Sequence, residues 1–288
     1  MEKWYNSHMI ARLLVVAGAG SYPRLIIEGA KNAGVPLVEV VAVKGSTDAA
    51  TVRAADYVRH AELGRLNEAI RWIGRQRYDG VVMAGQINPL SLFRCRFNDE
   101  VKSWLRELPA KNAHNIFRKL IEKFEKAGAR ILPASIFMDG HLPGSGPLTK
   151  RGFTESEESD ICYAITVAHD MGIHDVGQTV MVKSGMALAV EAFEGTNAAI
   201  KRGGKLGGRG AVVFKAARDG HDMRFDIPVI GLKTLKVMKR AGATALGFQA
   251  GRLILLDREE VIDYANRHDI ALVGIKSGLP PAPLRPWL

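Results

Sequence analysis

The chain has 288 residues, a length that fits two domains of ordinary size, and 47% of its residues are hydrophobic, which excludes a disordered protein. A formal net charge of +10 at pH 7 favours anionic partners such as phosphates, nucleotides or anionic lipid surfaces. Only two cysteines, Cys95 and Cys162, are present, which excludes a disulfide framework, fits a reducing compartment and leads us to expect a cytoplasmic protein.

The first half of the chain alternates short apolar runs with segments of helical spacing. The predicted strands are Leu13–Val16, Val38–Val43, Tyr57–His60, Gly80–Ala84 and Arg130–Pro133, and the predicted helices are Leu25–Ala33, Leu66–Arg77 and Asn112–Ala127. Strand, glycine turn and helix in this order form βαβ units. The alternation therefore predicts an α/β fold with a Rossmann-like parallel-sheet domain over residues 10–135.

Residues 136–152 hold the densest cluster of glycine and proline, so we predict a linker region there. A helix beginning after Thr154 is predicted next, followed by a hairpin and then a basic, glycine-rich loop. The hairpin strands are predicted at Val176–Lys183 and Ala187–Ala192, and the loop at Lys201–Arg209. The later predicted elements are the strands Ala211–Phe214, Ala245–Phe248 and Ala271–Ile275, the helices Leu232–Ala241 and Arg258–His268, and a hairpin-like segment at Gly251–Leu256. Residues 153–288 are thus predicted to be a distinct C-terminal α/β domain whose strands pair locally.

A glycine turn follows the first predicted strand and precedes a helix. Gly18, Gly20 and Ser21 lie where backbone amides at a helix N-terminus bind phosphate. Pro23 stands where the third glycine of the dinucleotide fingerprint would fall, which disfavours NAD. Phosphate or nucleotide binding and an ordinary tight turn are both compatible with this segment.

A second turn, containing Gly85, Gln86 and Asn88, ends the fourth predicted strand. Open parallel sheets place ligands at this edge, where side-chain amides read a base or a ribose by hydrogen bonds. A structural turn that uses Asn88 before a proline is the alternative interpretation.

Asp226 lies between Arg224 and Pro228 in a polar stretch flanked by apolar runs. A carboxylate in such a position coordinates Mg²⁺ or activates water, so Asp226 is the leading candidate for catalysis. Glu191 and Glu194 are possible companions, although exposed surface charges are the simpler interpretation of both.

The basic loop Lys201–Arg209 has two interpretations. Its cations suit a phosphate or a lipid head group, since each cation near an anionic surface contributes about 1 kcal/mol. The same composition also suits a solvated loop.

The chain resembles LpxI-type UDP-2,3-diacylglucosamine pyrophosphatases of lipid A biosynthesis. The resemblance rests on segments 177–180, 190–196 and 224–231, on Lys215, and on segment 18–23 with Ala84 and Gly85. It implies a Rossmann-like domain followed by a distinct α/β domain. It also implies Mg²⁺-dependent hydrolysis of a pyrophosphate by water attacking the α-phosphorus, giving UMP and the acylated sugar phosphate lipid X.

By the same resemblance, the family's essential aspartate falls on Asp226, as a catalytic residue and metal ligand. The residues that the resemblance and the motifs together assign to substrate binding are Gly18, Gly20, Ser21, Pro23, Gly85, Gln86, Asn88, Gln178, Glu191, Gly195, Thr196, Lys215 and Arg224. Ala113, His114 and Asn197 stand where the family carries carboxylates. These departures keep open a different UDP-sugar or phospho-metabolite as substrate, or a non-catalytic protein that binds an acylated sugar phosphate.

The expected partner is a nucleotide-linked glycolipid, with peripheral contact at the inner membrane and a homo-oligomer both compatible with the sequence. Nucleic acid is not expected, because the basic residues are scattered along the chain and aromatic residues make up only 7% of it. No apolar run approaches the length of a membrane span.

Overall fold

The computed structural model describes residues 10–87, 95–108, 113–217, 224 and 227–276. These residues fall into two compact units. The first unit comprises the described residues up to Asp139 together with Arg224, and the second comprises the other described residues from Gly140 onward.

The first unit is built on a four-stranded sheet with the strand order β3-β2-β1-β4, in which every pairing is parallel. Its strands are β1 (Arg12–Ala17), β2 (Leu37–Val43), β3 (Tyr57–Ala61) and β4 (Gly80–Ala84), and its helices are α1 (Tyr22–Asn32), α2 (Ala49–Ala54), α3 (Leu66–Arg75), α4 (Asp99–Arg106) and α5 (Ala113–Lys126). This arrangement confirms the predicted Rossmann-like parallel sheet. The strand predicted at Arg130–Pro133 is reduced to a single bridge between Ile131 and Val81, and Pro133, which has no amide N–H, follows two residues after Ile131.

Apolar side chains from the sheet meet the helices that follow β3 and β4. Leu14, Val41 and Val81 belong to one buried cluster that also contains Ile70 of α3 and Phe124 of α5. All five residues of β4 are buried, as expected for a parallel strand that is covered on both faces. The core therefore fixes the carboxyl ends of β1 and β4 beside each other.

Those two strand ends are joined by a close pairing of their turns. The Gly18 amide donates to the Ala84 carbonyl at 2.8 Å, and Ala19 and Gln86 exchange two backbone hydrogen bonds of 2.8 and 2.9 Å. A Cβ atom on Gly18 would lie 2.6 Å from the Gln86 carbonyl oxygen. Gly85 has a φ of +89°, and its Cβ would lie 2.8 Å from the Ala19 carbonyl oxygen. Both glycines are thus required by the packing of the chain against itself.

The second unit is built on a six-stranded mixed sheet with the strand order β5-β12-β10-β8-β6-β7. The strands of the unit are β5 (Gly146–Pro147), β6 (Thr179–Lys183), β7 (Met186–Val190), β8 (Ala211–Lys215), β9 (Val229–Ile230), β10 (Ala243–Gln249), β11 (Ile254–Leu255) and β12 (Ala271–Ile275), and the helices are α6 (Glu155–Ile173), α7 (Thr196–Gly207), α8 (Leu232–Ala241) and α9 (Arg258–Arg267). The segment predicted as a linker contributes the edge strand β5, which pairs antiparallel with β12.

The prediction that the strands of this half pair locally holds only for the hairpin of β6 and β7. β8, β10 and β12 are parallel neighbours joined through α8 and α9, because parallel strands need a crossover connection. The hairpin expected at Gly251–Leu256 is also wrong, since β11 pairs in parallel with the distant β9.

The predicted basic loop Lys201–Arg209 is instead helical through most of its length, as part of α7. Two of its glycines allow close packing rather than a turn. A Cβ on Gly203 would lie 2.6 Å from the Met181 sulfur, and a Cβ on Gly204 would lie 2.5 Å from the Ala241 Cβ. Glycine in the helix interior costs about 1 kcal/mol relative to alanine, and contact with the sheet and with α8 offsets that cost.

The helices cover opposite faces of this sheet. α6 packs through Ile161 and Ala164 on the face that carries Val180 and Val212. α7, α8 and α9 share the other face, in a cluster that contains Met181 and other buried side chains of the sheet. Successive residues of β6 therefore belong to different cores, as the twofold alternation of a strand requires.

Arg151 fastens the start of α6 to the sheet. Its guanidinium donates to both carboxylate oxygens of Glu157, at 2.8 and 3.1 Å, and to the carbonyls of Thr244 and Asp269 at 2.7 and 2.9 Å. Thr154 and Glu157 also form a capping box at the helix N-terminus. Burial of the Glu157 carboxyl is the largest single influence and favours the protonated form. The hydrogen bonds from Arg151, Thr244 and the Thr154 amide, together with the charge of Arg151, outweigh burial and lower the pKa of Glu157.

We expect Glu157→Gln to lower the free energy of unfolding by about 2 kcal/mol at neutral pH, because a charge-assisted pair is lost. A carboxyl with a lowered folded-state pKa stabilises the fold above its unfolded pKa, and this stability is lost as the pH falls through the folded pKa. The difference from the native chain should thus shrink below about pH 4 in urea titrations. The exposed neighbour variant Glu158→Gln should change little. A difference that is equal at pH 7 and pH 3 would contradict the ionic origin.

The turn pairing of β1 and β4 gives a second stability prediction. We expect Gly85→Ala to lower the free energy of unfolding by about 2 kcal/mol or more, because the new methyl group is strained and meets backbone atoms. The control is Gly152→Ala, where a Cβ has no neighbour within 4 Å. Urea titration of both variants measures the contrast. Equal stability of the two variants would show that packing does not require Gly85.

Candidate active site

One backbone amide of the glycine turn before α1 is hydrogen-bonded to a carboxylate. Gly20, with a φ of +93°, donates its N–H to the Asp48 side chain at 2.9 Å. Asp48 precedes α2, after β2, and its side chain lies at the turn predicted to bind phosphate. A carboxylate there repels a phosphate but accepts hydrogen bonds from ribose hydroxyls. Sequence reasoning missed Asp48, although an acidic residue after the second strand is a known signal in Rossmann-like folds.

The other residues predicted at this edge have mainly structural contacts. Ser21 occupies the N-cap position of α1, and Pro23 lies buried in its first turn. The Pro23 ring closes the space beside Gly85. Gln86 is exposed after β4 and available to a ligand, whereas Asn88 lies outside the described residues. The first unit thus brings Gly18, Gly20, Ser21, Pro23, Gly85 and Gln86 to one edge of its sheet.

In the second unit, four polar side chains meet at the carboxyl end of β8. Lys215 ends β8 and is paired in register with Thr179, the first residue of the antiparallel β6. β7 ends beside the start of β6, so Glu191, the residue after β7, reaches the same edge. Thr196 arrives there as the first residue of α7. We call Thr179, Glu191, Thr196 and Lys215 the polar cluster.

Hydrogen bonds connect the polar cluster through one hydroxyl. The Lys215 ammonium donates to Thr196 Oγ1 at 2.6 Å, and that hydroxyl lies 3.0 and 3.1 Å from the two Glu191 carboxylate oxygens. Thr179 Oγ1 lies 3.3 Å from the same oxygen. A hydroxyl has one proton, so acceptance from Lys215 directs that proton to Glu191.

Lys215 is only 6% exposed, which is unusual for a lysine. Transfer of an ammonium group from water into a protein costs several kcal/mol unless polar and charged groups replace its hydration. Thr196 and, one bond further, Glu191 supply that environment. A positive charge fixed at a sheet edge in this way is suited to binding an anion.

Two glycines shape the backbone around the polar cluster. A Cβ on Gly177 would lie 2.0 Å from the Glu191 carbonyl oxygen, so only glycine allows this approach. Gly195 has a φ of +80° and is the N-cap of α7, and having no side chain it leaves the first amides of the helix uncapped. Gln178 accepts a hydrogen bond on its carbonyl from Ala216, the residue after Lys215, at 3.0 Å. Gln178, Glu191, Gly195, Thr196 and Lys215 are therefore brought together as a group.

Glu194 does not belong to this group. Its exposed carboxylate pairs with Arg202 at 2.6 Å, and Arg202 also donates to the Val190 carbonyl at 2.9 Å. The hydrogen bond from Arg202 lowers the pKa of Glu194. Glu194 thus fastens α7 to β7, while Glu191 faces Lys215 through Thr196.

Arg224 belongs to the first unit, where its guanidinium donates to the Glu125 carboxylate of α5 at 2.6 Å. Asp226, the predicted catalytic residue and metal ligand, lies outside the described residues. Ala113 and His114 lie at the start of α5, and only their backbone is described. The predicted roles of these residues stay predictions.

The region near the polar cluster contains oxygen atoms suited to a hard cation. The side-chain carbonyl oxygen of Asn197 is buried and has no hydrogen-bond partner in the described part of the chain. Glu191 adds a carboxylate, and carboxylate and amide oxygens are the ligands that Mg²⁺ prefers. Within the described ranges, no three His, Cys, Asp or Glu side chains group closely enough to hold a metal ion.

Within the same ranges, no helix is both long and apolar enough to cross a membrane.

Comparisons with known proteins agree with this organisation. A family model described as the LpxI N-terminal domain matches residues 12–141, and one described as the LpxI C-terminal domain matches residues 144–273. The chain is 30% identical over 280 residues to the UDP-2,3-diacylglucosamine pyrophosphatase LpxI of Caulobacter vibrioides, an alignment that covers 92% of this chain and 97% of that relative. The resemblance inferred from the motifs is thereby confirmed, and the chain belongs to the LpxI family.

Proposed function

We propose that this protein hydrolyses the pyrophosphate bond of UDP-2,3-diacylglucosamine, the substrate named for its relative, and releases UMP and the acylated sugar phosphate lipid X. The proposal places the reaction in lipid A biosynthesis. The observation that carries it is the buried Lys215 ammonium at the carboxyl edge of β8, held by Thr196 and Glu191.

Lys215 and the start of α7 supply the electrostatics that such a reaction needs. Hydrolysis of a pyrophosphate develops negative charge on phosphoryl oxygens, which fixed positive charges and free amides stabilise. The uncapped first turn of α7 offers amides beside the Lys215 ammonium. Asp226 is proposed to orient or deprotonate the water that attacks the α-phosphorus.

The glycine turns of the first unit are proposed to bind the nucleoside part of the substrate. Asp48 would accept hydrogen bonds from the ribose hydroxyls, and the exposed Gln86 would contact the base. The Asp48 carboxylate, which accepts a hydrogen bond from the Gly20 amide, supports binding of a sugar rather than a phosphate at this turn.

Mg²⁺ is proposed as the cofactor. Within the second unit, Glu191 and Asn197 would hold it, and Asp226 stays a ligand predicted from the family resemblance. The Asn197 side-chain oxygen, which has no partner among the described residues, supports this assignment, since a buried carbonyl without a hydrogen bond costs free energy that a cation would recover. When bound, the cation supplies Lewis-acid stabilisation of phosphoryl oxygens.

The activity is tested by incubating the purified protein with UDP-2,3-diacylglucosamine and Mg²⁺ and measuring UMP release. We expect Lys215→Met and Asp226→Asn each to lower kcat by about 100-fold or more. Thr196→Val should also lower kcat, because it breaks the link between Lys215 and Glu191.

The matched control is Lys183→Met. Lys183 ends β6 at the opposite edge of the sheet, where its ammonium donates to the Gly207 carbonyl at 2.7 Å. We expect full activity from this variant. Wild-type protein that binds the lipid without releasing UMP would instead indicate a non-catalytic binding protein. If folded Lys215→Met releases UMP at the wild-type rate, Lys215 has no part in the hydrolysis.

The metal assignment is tested by Asn197→Asp, which adds a carboxylate at the orphaned oxygen. We expect this variant to bind Mg²⁺ about ten-fold more tightly in calorimetry, because ligand charge sets the affinity of oxygen sites. Ala198→Asp adds the same charge at an exposed neighbouring position and serves as the control. If both variants gain the same affinity, the added carboxylate attracts Mg²⁺ by long-range electrostatics without coordinating it, and Asn197 is not a ligand.

A further inference from the structure

The charged side chains of α7 and α8 are all positive. Seven exposed cations lie on the two helices, and neither helix contains an aspartate or a glutamate. Arg202 pairs with Glu194, and the other six are Lys201 and Lys205 of α7 and Lys233, Lys236, Lys239 and Arg240 of α8. We call the exposed sides of these two helices the basic face. Sequence reasoning singled out the basic segment Lys201–Arg209 but did not join it to the cations of α8, because the two helices are separated by β8 and the segment that follows it.

The two helices lie side by side. Gly204 packs directly on Ala241, and the Gly210 amide donates to the Gly242 carbonyl at 2.8 Å, so the two helix ends meet. Both helices bury their apolar sides in the same core, through Ile200 and Leu235 among others. Their cations therefore project from one surface of the second unit.

Within the part of the chain that the structure describes, these six charges lack acidic partners. None of the six has an ion pair with a described carboxylate, although Arg202 on the same helix pairs with Glu194. Cations near a helix C-terminus are stabilised by the helix dipole, which accounts for Lys205, Lys239 and Arg240. It does not account for Lys201, Lys233 or Lys236, and like charges at short range repel. An external anionic partner would remove that repulsion.

Large apolar side chains are also exposed on α7 and beside it. Leu206, near the end of α7, is 69% exposed. Phe193, just before α7, is 72% exposed, and Met186 at the start of β7, which packs beside α7, is 63% exposed. A nucleic-acid backbone offers no apolar phase to such side chains, whereas a lipid surface offers both anionic head groups and hydrocarbon.

We propose that the basic face, with Leu206 and Phe193, docks on an anionic lipid bilayer. The cations contact the head groups, and the exposed apolar side chains enter the interface. This inference rests on the geometry of the second unit and does not require the proposed hydrolytic activity.

The test measures sedimentation of the full-length protein with vesicles, in the absence of substrate. We expect binding to phosphatidylcholine vesicles that contain phosphatidylglycerol, and far weaker binding to pure phosphatidylcholine. Lys201→Gln with Lys205→Gln should lower the partition coefficient about 25-fold, since each cation near an anionic surface contributes about five-fold. Leu206→Ser should lower it about ten-fold.

Two control variants match these changes elsewhere on the protein. Arg75→Gln with Lys150→Gln removes the same net charge from exposed positions outside the basic face, and Ile173→Ser changes an equally exposed (69%) side chain at the end of α6. Neither control should weaken binding. Equal loss in test and control variants, equal binding to both kinds of vesicle, or binding to duplex DNA in place of vesicles would overturn the proposal. Normal vesicle binding by Lys215→Met would separate this face from the hydrolytic site.

Discussion

The burial of one ammonium group at the carboxyl end of β8 is the constraint around which the second unit is organised. Lys215 needs polar surroundings once it leaves water, and the groups that supply them come from three different elements. The ammonium donates to Thr196, the first residue of α7, and the Thr196 hydroxyl is in turn hydrogen-bonded to Thr179 of β6 and to Glu191 in the turn after β7. The antiparallel entry of β6 into an otherwise parallel run brings its first residue, rather than its last, to this edge. The mixed topology of the sheet is thus what assembles the polar cluster.

Glycine acts in both units as a requirement of close packing as well as of turn geometry. Gly18 and Gly85 allow two strand ends to exchange backbone hydrogen bonds, and Gly203 and Gly204 bring α7 against the sheet and α8. At each of these positions a methyl group would meet atoms of another segment. A ligand-binding interpretation of such glycines competes with packing, and within the first unit the chain itself fills the space beside Gly18 and Gly85.

Local patterns predicted the parallel sheet of the first unit because β1, β2 and β4 are short apolar runs, and because segments of helical spacing separate β1 from β2 and β3 from β4. They failed where distant packing overrides local propensity. Gly203 and Gly204 suggest a loop until the neighbouring Met181 and Ala241 are known, and the pairing of β9 with β11 has no signal in either two-residue strand. Lys215 was found through the family motif, but its burial and its link to Glu191 depend on register, which no local pattern encodes.

α7 joins the two functional proposals in one rigid element. Its N-terminus supplies Thr196 and free amides to the polar cluster, while its exposed side carries Lys201, Lys205 and Leu206. Twelve helical residues span about 18 Å, so the basic face and the polar cluster stay at a fixed separation within the second unit. Phe193 lies in the short turn between Glu191 and Thr196. A lipid surface that takes up Phe193 would therefore constrain the turn that positions both polar-cluster residues, which couples docking to the geometry around Lys215.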